Sequence, residues 1–499
     1  MQIQSMVKSS TIQGVKAIPV QVEVSISSGL PAFIIVGMPD AAIQEARERV
    51  KAAIRSCGFL MPSERVIVNL APGAIRKIGS GFDLPIAVGI LAATKQIPIE
   101  RLKDTLFVGE LSLEGNVRAI TGILAHAMCA RDQHYNLVCA EPHEGLIALR
   151  GLSQYRIDSL YDLKKQEFNQ AKVFFDNTIS SNLDYADVAG NEEAKRAFQV
   201  AAAGGHGILM MGPPGSGKTM LASRLPSILP SLTEEELLET ALVHSVAGVD
   251  VKQILKGIRP FRSPHHSIST AGLVGGGSTP QPGEASLAHN GVLFLDELAE
   301  FKTSTLQSIR QPMESGLITI VRAESKAEFP ARFMLVGASN PCPCGYYGDE
   351  KINCSCTPTQ IKTYQNRIGG PLMDRIDIHI DVWRTPPGEV LHAGSGRSSA
   401  ALKEGVLQAC AFREQRNLNK TQGNKKGSTQ VLEECILKNE ELQFLEEVAG
   451  VFNLSGRGIM KILSVARTIA DMDESRRVKT SHLSEALHLR IPEGVGFFG

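Results

Sequence analysis

The 499-residue sequence has no surplus of either charge: 52 Lys and Arg stand against 52 Asp and Glu. A protein that coats nucleic acid by bulk electrostatics needs excess cations, so that class is excluded, while a local basic face is not. Long apolar runs are missing too. The longest uncharged one, Leu84 to Thr94, contains a proline and a glycine and falls well short of the ~20 residues that a membrane span needs. Met1 to Ser10 holds one lysine and no apolar h-region, so no secretory leader is expected. The nine cysteines are odd in number and mostly scattered, unlike the framework of a secreted, disulfide-stapled domain. These absences predict a cytoplasmic chain, in a reducing compartment, with no membrane association. Hydrophobic residues at 43% and charged residues at 21% exclude disorder as the dominant state. At ~100–200 residues per domain the length suggests about three domains.

The pattern along the chain divides accordingly. In residues 1–165 short strands mix with helices: Val20 to Ile26 alternates apolar and polar residues, and Val66 to Leu70 is another strand candidate. Between them Asp40 reads as an N-cap. Ile43, Ala46, Val50, Ile54 and Cys57 then recur at helical spacing until Gly58. A polar connection, about Lys164 to Asn182, leads to residues 183–385. There the apolar runs Gly207–Met211, Gly291–Leu295 and Phe333–Ala338 alternate with helical segments, which predicts an α/β layer around a parallel sheet. After a loop-like stretch, residues 395–499 are helical, clearest where Ile459, Ile462, Leu463, Ala466 and Ile469 share a face.

The strongest chemical signal is Gly212-Pro213-Pro214-Gly215-Ser216-Gly217-Lys218-Thr219, directly after the strand Ile208–Met211. Glycines at this spacing let backbone N–H groups curl around phosphate oxygens at a helix N-terminus. Lys218 reaches the β- and γ-phosphates and the Thr219 hydroxyl binds Mg²⁺, so ATP and Mg²⁺ are the expected cofactors. A second buried strand, Gly291–Leu295, delivers Asp296 and Glu297 at the end where α/β proteins bind ligands. Asp296 suits Mg²⁺; Glu297 suits orienting and deprotonating an attacking water. Alone, such a pair is usually a solvated helix start, and it is the preceding phosphate loop that points to catalysis. A third strand ends at Asn340, whose amide suits the lytic water or the γ-phosphate.

Cys342-Pro343-Cys344 and Cys354-Ser355-Cys356 offer four soft thiolates, enough to close a tetrahedral Zn²⁺ site, although the C-x-C spacing is tighter than usual. His265, His266 and His289 suggest loop packing or substrate contact before a second metal site, because adjacent histidines do not easily reach one ion.

On these residues the chain resembles the AAA+ ATPases, and within them the magnesium-chelatase-like ComM/YifB family. The particular carriers are Phe261-Arg262-Ser263-Pro264-His265-His266, Gly283 to Gly291, Asn340 to Gly345, and Leu372 to Asp377. The resemblance implies that Arg375 is a finger acting on a neighbouring subunit's nucleotide, which requires a homo-oligomeric ring, expected to be a hexamer. It also implies that Arg457 is the second sensor arginine at the start of a lid helix. In default of such a role an arginine is a surface ion-pair partner. The substrate implied is DNA, single-stranded or branched, with branch migration during recombination of incoming DNA and recombination proteins as partners. The competing expectation is a chelatase-type motor remodelling a partner protein. A local excess of Arg397, Lys403, Arg413, Arg416, Lys420, Lys425 and Lys426 over Glu404 and Glu414 suggests a phosphate contact as readily as a solvated face. Arg322 and Lys326 sit on an expected hairpin.

Residues 1–165 further resemble a Lon-protease-like fold through Ala71-Pro72-Gly73-Ala74, the Gly79–Asp83 turn and Gly109–Gly115. Gly81 and Leu124 stand where that family has its serine and lysine, so a scaffold or substrate guide is expected in place of a peptidase.

Overall fold

The computed structural model of the chain describes residues 3–98, 103–141, 149–165, 168–170, 183–322, 325–349, 351–390, 396–418 and 428–490. Its first sheet begins with a long antiparallel ladder between β1 (Ile3–Gln13) and β2 (Lys16–Ser27). In β2 the alternation of Val20, Val22, Val24 and Ile26 buries one face, as expected. In β1 the buried set includes Ser9, Ser10 and Thr11, so hydropathy alone does not reveal this strand. The sheet continues with β3 (Ala32–Val36), β4 (Arg65–Ala71) and β5 (Thr105–Phe107). A small pair, β6 (Glu110–Leu111) and β7 (Val117–Arg118), stands apart. β8 (Asn136–Cys139), β9 (Gln154–Arg156) and β10 (Asn169–Gln170) complete the order β10-β9-β8-β5-β1-β2-β4-β3 among the described residues.

The helix Ala41–Ser56 starts where Asp40 Oδ1 accepts from the Ile43 N–H at 2.9 Å and buries Ile43, Ala46, Val50 and Ile54. The apolar run noted above becomes the helix Asp83–Ala93, which is buried on every side. That explains a stretch too short for a membrane and too apolar for a surface.

The second sheet is wholly parallel. Its members are β11 (Ile208–Met211), β12 (Phe261–Arg262), β13 (Val292–Leu295), β16 (Met334–Ser339) and β17 (Ile378–Asp381), in the order β12-β13-β16-β11-β17. Between β13 and β16 the hairpin β14 (Leu317–Arg322) and β15 (Ser325–Pro330) stands off the sheet. Strands β11, β13 and β16 are buried along their whole length, because helices or loops cover both faces. On one face the helices Glu192–Gly204 and Lys218–Ile228 share a core with the C-terminal helix Gly456–Met472 through Phe198, Leu221, Leu225, Ile462 and Leu463. The expected apolar face of that last helix is therefore the seam joining the C-terminal helices to the sheet. No helix among the described residues is long and apolar enough to cross a membrane.

The two sheets are joined by the helix Glu234–Ala247, whose Ala241, Leu242 and Val246 pack with Leu124 and Ala125 of the helix Ile123–Asp132. The Gly122 N–H donates to the Ser245 carbonyl at 2.9 Å across this seam. The Leu124 side chain is thus spent on packing. The Ser80 hydroxyl donates to Glu110, while buried Lys77 donates to the Gly37 and Pro72 carbonyls.

Candidate active site

Strand β11 is an interior strand of the parallel sheet, with β16 on one side and the edge strand β17 on the other. The loop that leaves it therefore opens at the C-terminal edge of the sheet, and the next helix, Lys218–Ile228, aims its N-terminus there. Gly212 has no alternative at its position: a Cβ there would lie 2.0 Å from the Val382 carbonyl oxygen. Gly215 and Gly217 have φ of 75° and 91°, conformations that side-chain-bearing residues disfavour. The loop is thus shaped by backbone requirements that the sequence pattern already encodes.

Lys218 is buried, and its ammonium donates to the Gly212 carbonyl at 2.7 Å, the Pro213 carbonyl at 2.9 Å and Asn340 Oδ1 at 3.3 Å. One residue on, the Thr219 hydroxyl donates to Asp296 Oδ2 at 2.7 Å. Asp296 ends β13, and its other oxygen accepts from the Glu297 N–H at 2.9 Å. Glu297 itself sits at φ 51°; a left-handed residue directly after a buried strand turns its carboxylate out of the sheet. Lys218, Thr219, Asp296, Glu297 and Asn340 therefore meet at adjacent strand ends, a cation, two carboxylates, a hydroxyl and an amide around one opening. Hard oxygen donors such as Thr219 and Asp296 fit Mg²⁺.

Burial lowers the Lys218 ammonium to about 8, with the nearby Asp296 carboxylate opposing the shift. Phosphate binding uses the protonated form, which is the majority below that value and the minority above it. Nucleotide affinity is accordingly expected to fall as pH rises through about 8, by up to ~tenfold per pH unit for one linked proton. MgATP titrations at pH 7, 8 and 9 would read this; a flat profile would remove Lys218 from the phosphate ligands.

Glu297 has a partner for which the sequence suggested loop packing or substrate contact. His266 Nδ1 lies 3.1 Å from Glu297 Oε2, and the His265 ring stacks beside it at 4.0 Å. No local signal could have found this pairing, because it depends on β12, which precedes His266, lying beside the strand that precedes Glu297. His289 goes elsewhere. It is buried, accepts from the Arg332 N–H at 3.1 Å and pairs with Glu239, so the three histidines form no common site.

Arg375 and Arg457 are brought together, away from the phosphate loop's own hydrogen bonds. Arg375 Nη2 lies 2.5 Å and Arg457 Nη2 3.9 Å from the same oxygen of Glu314, on the short helix Arg310–Ser315. Arg457 opens the helix Gly456–Met472, which is capped by Ser455.

Three members of the expected basic stretch, Arg397, Arg413 and Arg416, have partners within the chain. Arg416 is ion-paired with Asp471 and Glu434 at 3.2 Å each, Arg413 donates to the Ala203 carbonyl and Arg397 faces Glu192 at 3.7 Å. Lys420, Lys425 and Lys426 lie outside the described residues. The hairpin differs as well from a free-standing one. Gln13 donates to the Lys326 carbonyl, and Arg322 and Lys326 line a cavity of about 780 Å³ with Ser80, Glu110 and Thr121 of the first unit.

The four cysteine sulfurs lie within 4.8 Å of one another, with separations of 3.4 Å for Cys342–Cys344, 3.7 Å for Cys342–Cys354 and 3.5 Å for Cys344–Cys354. A tetrahedron with Zn–S bonds of about 2.3 Å has S···S edges of about 3.8 Å, so the donor set and its spacing fit that ion.

A central parallel sheet, a phosphate loop off an interior strand and a carboxylate pair off a nearby one define the α/β class of P-loop nucleotide-binding proteins. Comparison with known proteins narrows the class. Residues 184–390 match the model for magnesium chelatase, subunit ChlI; residues 22–142 match subunit ChlI of Mg-chelatase, and residues 396–490 its C-terminal part. The YifB protein of Salmonella typhimurium is 41% identical over 491 residues, 96% of this chain and 95% of the relative. Competence protein ComM of Haemophilus influenzae is 41% identical over 97% of each chain. The magnesium-chelatase 67 kDa subunit of Chlorobaculum parvum is 30% identical over 161 residues, 32% of this chain and 23% of that one. The chain belongs to the YifB/ComM family of magnesium-chelatase-like AAA+ proteins.

Proposed function

We propose that the chain hydrolyses ATP with Mg²⁺ and uses the cycle, as a homo-oligomeric, hexameric ring in the cytoplasm, to remodel DNA by branch migration of recombination intermediates. The observation that carries the ATPase part is the convergence of Lys218, Thr219, Asp296, Glu297 and Asn340 on one opening. In this reading the phosphate loop and Lys218 hold the triphosphate, and Thr219 and Asp296 hold Mg²⁺, which neutralises the charge on the β- and γ-oxygens. Glu297 takes the proton of the attacking water and Asn340 orients that water or the γ-phosphate. Arg375 reaches the nucleotide of the neighbouring subunit, and Arg457, at the start of the helix Gly456–Met472, is the second sensor arginine. The four cysteines hold a structural Zn²⁺. The first unit is a Lon-like guide for substrate, a role supported by the packing of Leu124, at the position of that family's lysine, and by the Ser80 hydroxyl, which donates to Glu110.

DNA as the substrate rests on the relationship to competence protein ComM, with recombination proteins as partners. The chain carries no net positive charge, so the grip on phosphates comes from hairpin residues such as Arg322 repeated around the ring. The likeness to a magnesium-chelatase subunit favours the second reading, a motor that remodels a partner protein.

ATP turnover measured alone and with single-stranded, duplex and branched DNA separates them. Branched DNA is expected to raise turnover several-fold, with binding that weakens steeply as salt rises, and joint molecules should be migrated only with ATP. Turnover indifferent to all three DNA forms, with no migration, would leave the partner-protein reading.

A further inference from the structure

The cysteine loop lies directly against the phosphate loop. Gly345, one residue after Cys344, sits at φ 87° with its α-carbon so close to Pro214 that an added Cβ would be 2.7 Å from the proline Cδ. Beyond it the Tyr346 ring lies under the Arg384 guanidinium at 5.4 Å. Asp349, held by the N–H groups of Lys351 and Ile352, faces the same guanidinium at 3.9 Å. Arg384 then donates from Nε to the Pro214 carbonyl at 3.3 Å. At the loop's other end Asn340, two residues before Cys342, accepts from the Lys218 ammonium, and the Pro341 carbonyl between them accepts from Gln365.

Three separate contacts thus run from the loop bearing the cysteines to the phosphate loop: Gly345 on Pro214, Arg384 on the Pro214 carbonyl, and Asn340 on Lys218. The described residues of segment 342–356 form no helix or strand. A loop of this length has conformational freedom that only cross-linking or packing removes. Cys342 is buried, the other three sulfurs are partly exposed, and the Cys356 N–H donates to Cys354 Sγ at 3.4 Å, an outer contact that orients a thiolate ligand.

We propose that metal occupancy of the Cys342, Cys344, Cys354 and Cys356 site sets the shape of the phosphate loop, so that nucleotide affinity depends on bound Zn²⁺. This rests on reading the four cysteines as a zinc site. With the ion in place, Tyr346 and Asp349 hold Arg384 against Pro214, and Asn340 stays beside Lys218. Without it, the loop gains freedom and those contacts are lost together.

The test uses the full chain, elemental analysis and titration with a fluorescent ATP analogue. One Zn²⁺ per chain is expected in protein purified under reducing conditions. Removal with a chelator is expected to weaken nucleotide binding about tenfold or more, and added Zn²⁺ to restore it. A chain carrying both Cys354→Ser and Cys356→Ser should lose the ion and show the same weakening. Arg384→Ala should keep the ion yet bind nucleotide several-fold more weakly, which also covers the case where the double variant fails to fold. Absence of zinc from the reduced protein would overturn the zinc reading itself. Zinc present, with nucleotide affinity unmoved by its removal and by Arg384→Ala, would overturn the coupling alone.

Discussion

Glu297→Gln is expected to lower ATP turnover by about 10²- to 10⁴-fold while leaving MgATP bound with near-normal affinity. The range is what a positioned general base contributes. Glutamine keeps the size and hydrogen-bonding ability of the side chain but accepts no proton. Binding should survive because the side chains placed for phosphate and Mg²⁺ are those of Lys218, Thr219 and Asp296, and Asp296 is held by the Thr219 hydroxyl and the residue-297 backbone N–H, both of which the substitution keeps. Lys218→Ala should differ in kind: affinity and turnover fall together, since the ammonium at the floor of the loop is removed. Turnover and analogue binding measured on both variants distinguish the two patterns. A Glu297→Gln chain that turns over within threefold of the wild type would place the base elsewhere, and His266, 3.1 Å away, would be the first residue to examine.

Arg375→Ala is expected to reduce turnover by about 10³-fold or more, the scale on which an arginine finger acts. Within one protomer Arg375 pairs with Glu314, so its removal also strands a carboxylate. Arg375→Lys controls for that loss: it keeps a cation beside Glu314 but not the planar fork that meets phosphate oxygens in pairs, and should remain severely impaired. If the arginine acts between subunits, mixing Arg375→Ala with Glu297→Gln protein should recover part of the activity, because some interfaces then combine an intact Glu297 with an intact Arg375. Mixtures no better than either variant alone would show that both residues serve the same protomer's nucleotide.

The nucleotide-binding residues were legible in the sequence because a phosphate loop is a local device. Its glycines, Lys218 and Thr219 are contiguous, and the backbone conformations that Gly215 and Gly217 adopt are written in residue type. The same holds for the helix capped by Asp40 and for strand β2, whose periodicities are local. Strand β1 was not legible, because Ser9, Ser10 and Thr11 are polar and yet buried. Their burial comes from pairing with β2 and packing beneath the sheet, and neither is visible from neighbours in the chain. The basic stretch after Arg397 was ambiguous for the converse reason. Charge counts say nothing of the distant Asp471, to which Arg416 is bound.

By itself, then, the sequence determined the class of chemistry: which residues meet phosphate, which strand ends carry carboxylates, and where four thiols are available. Only the tertiary structure decided who stands beside whom across long separations. It set His266 against Glu297, gathered Arg375 and Arg457 on Glu314, and laid the cysteine loop on Pro214. The physical reason is one of range. Backbone conformation and periodicity depend on residues a few positions apart, whereas ion pairs and packing depend on distances that the fold alone creates.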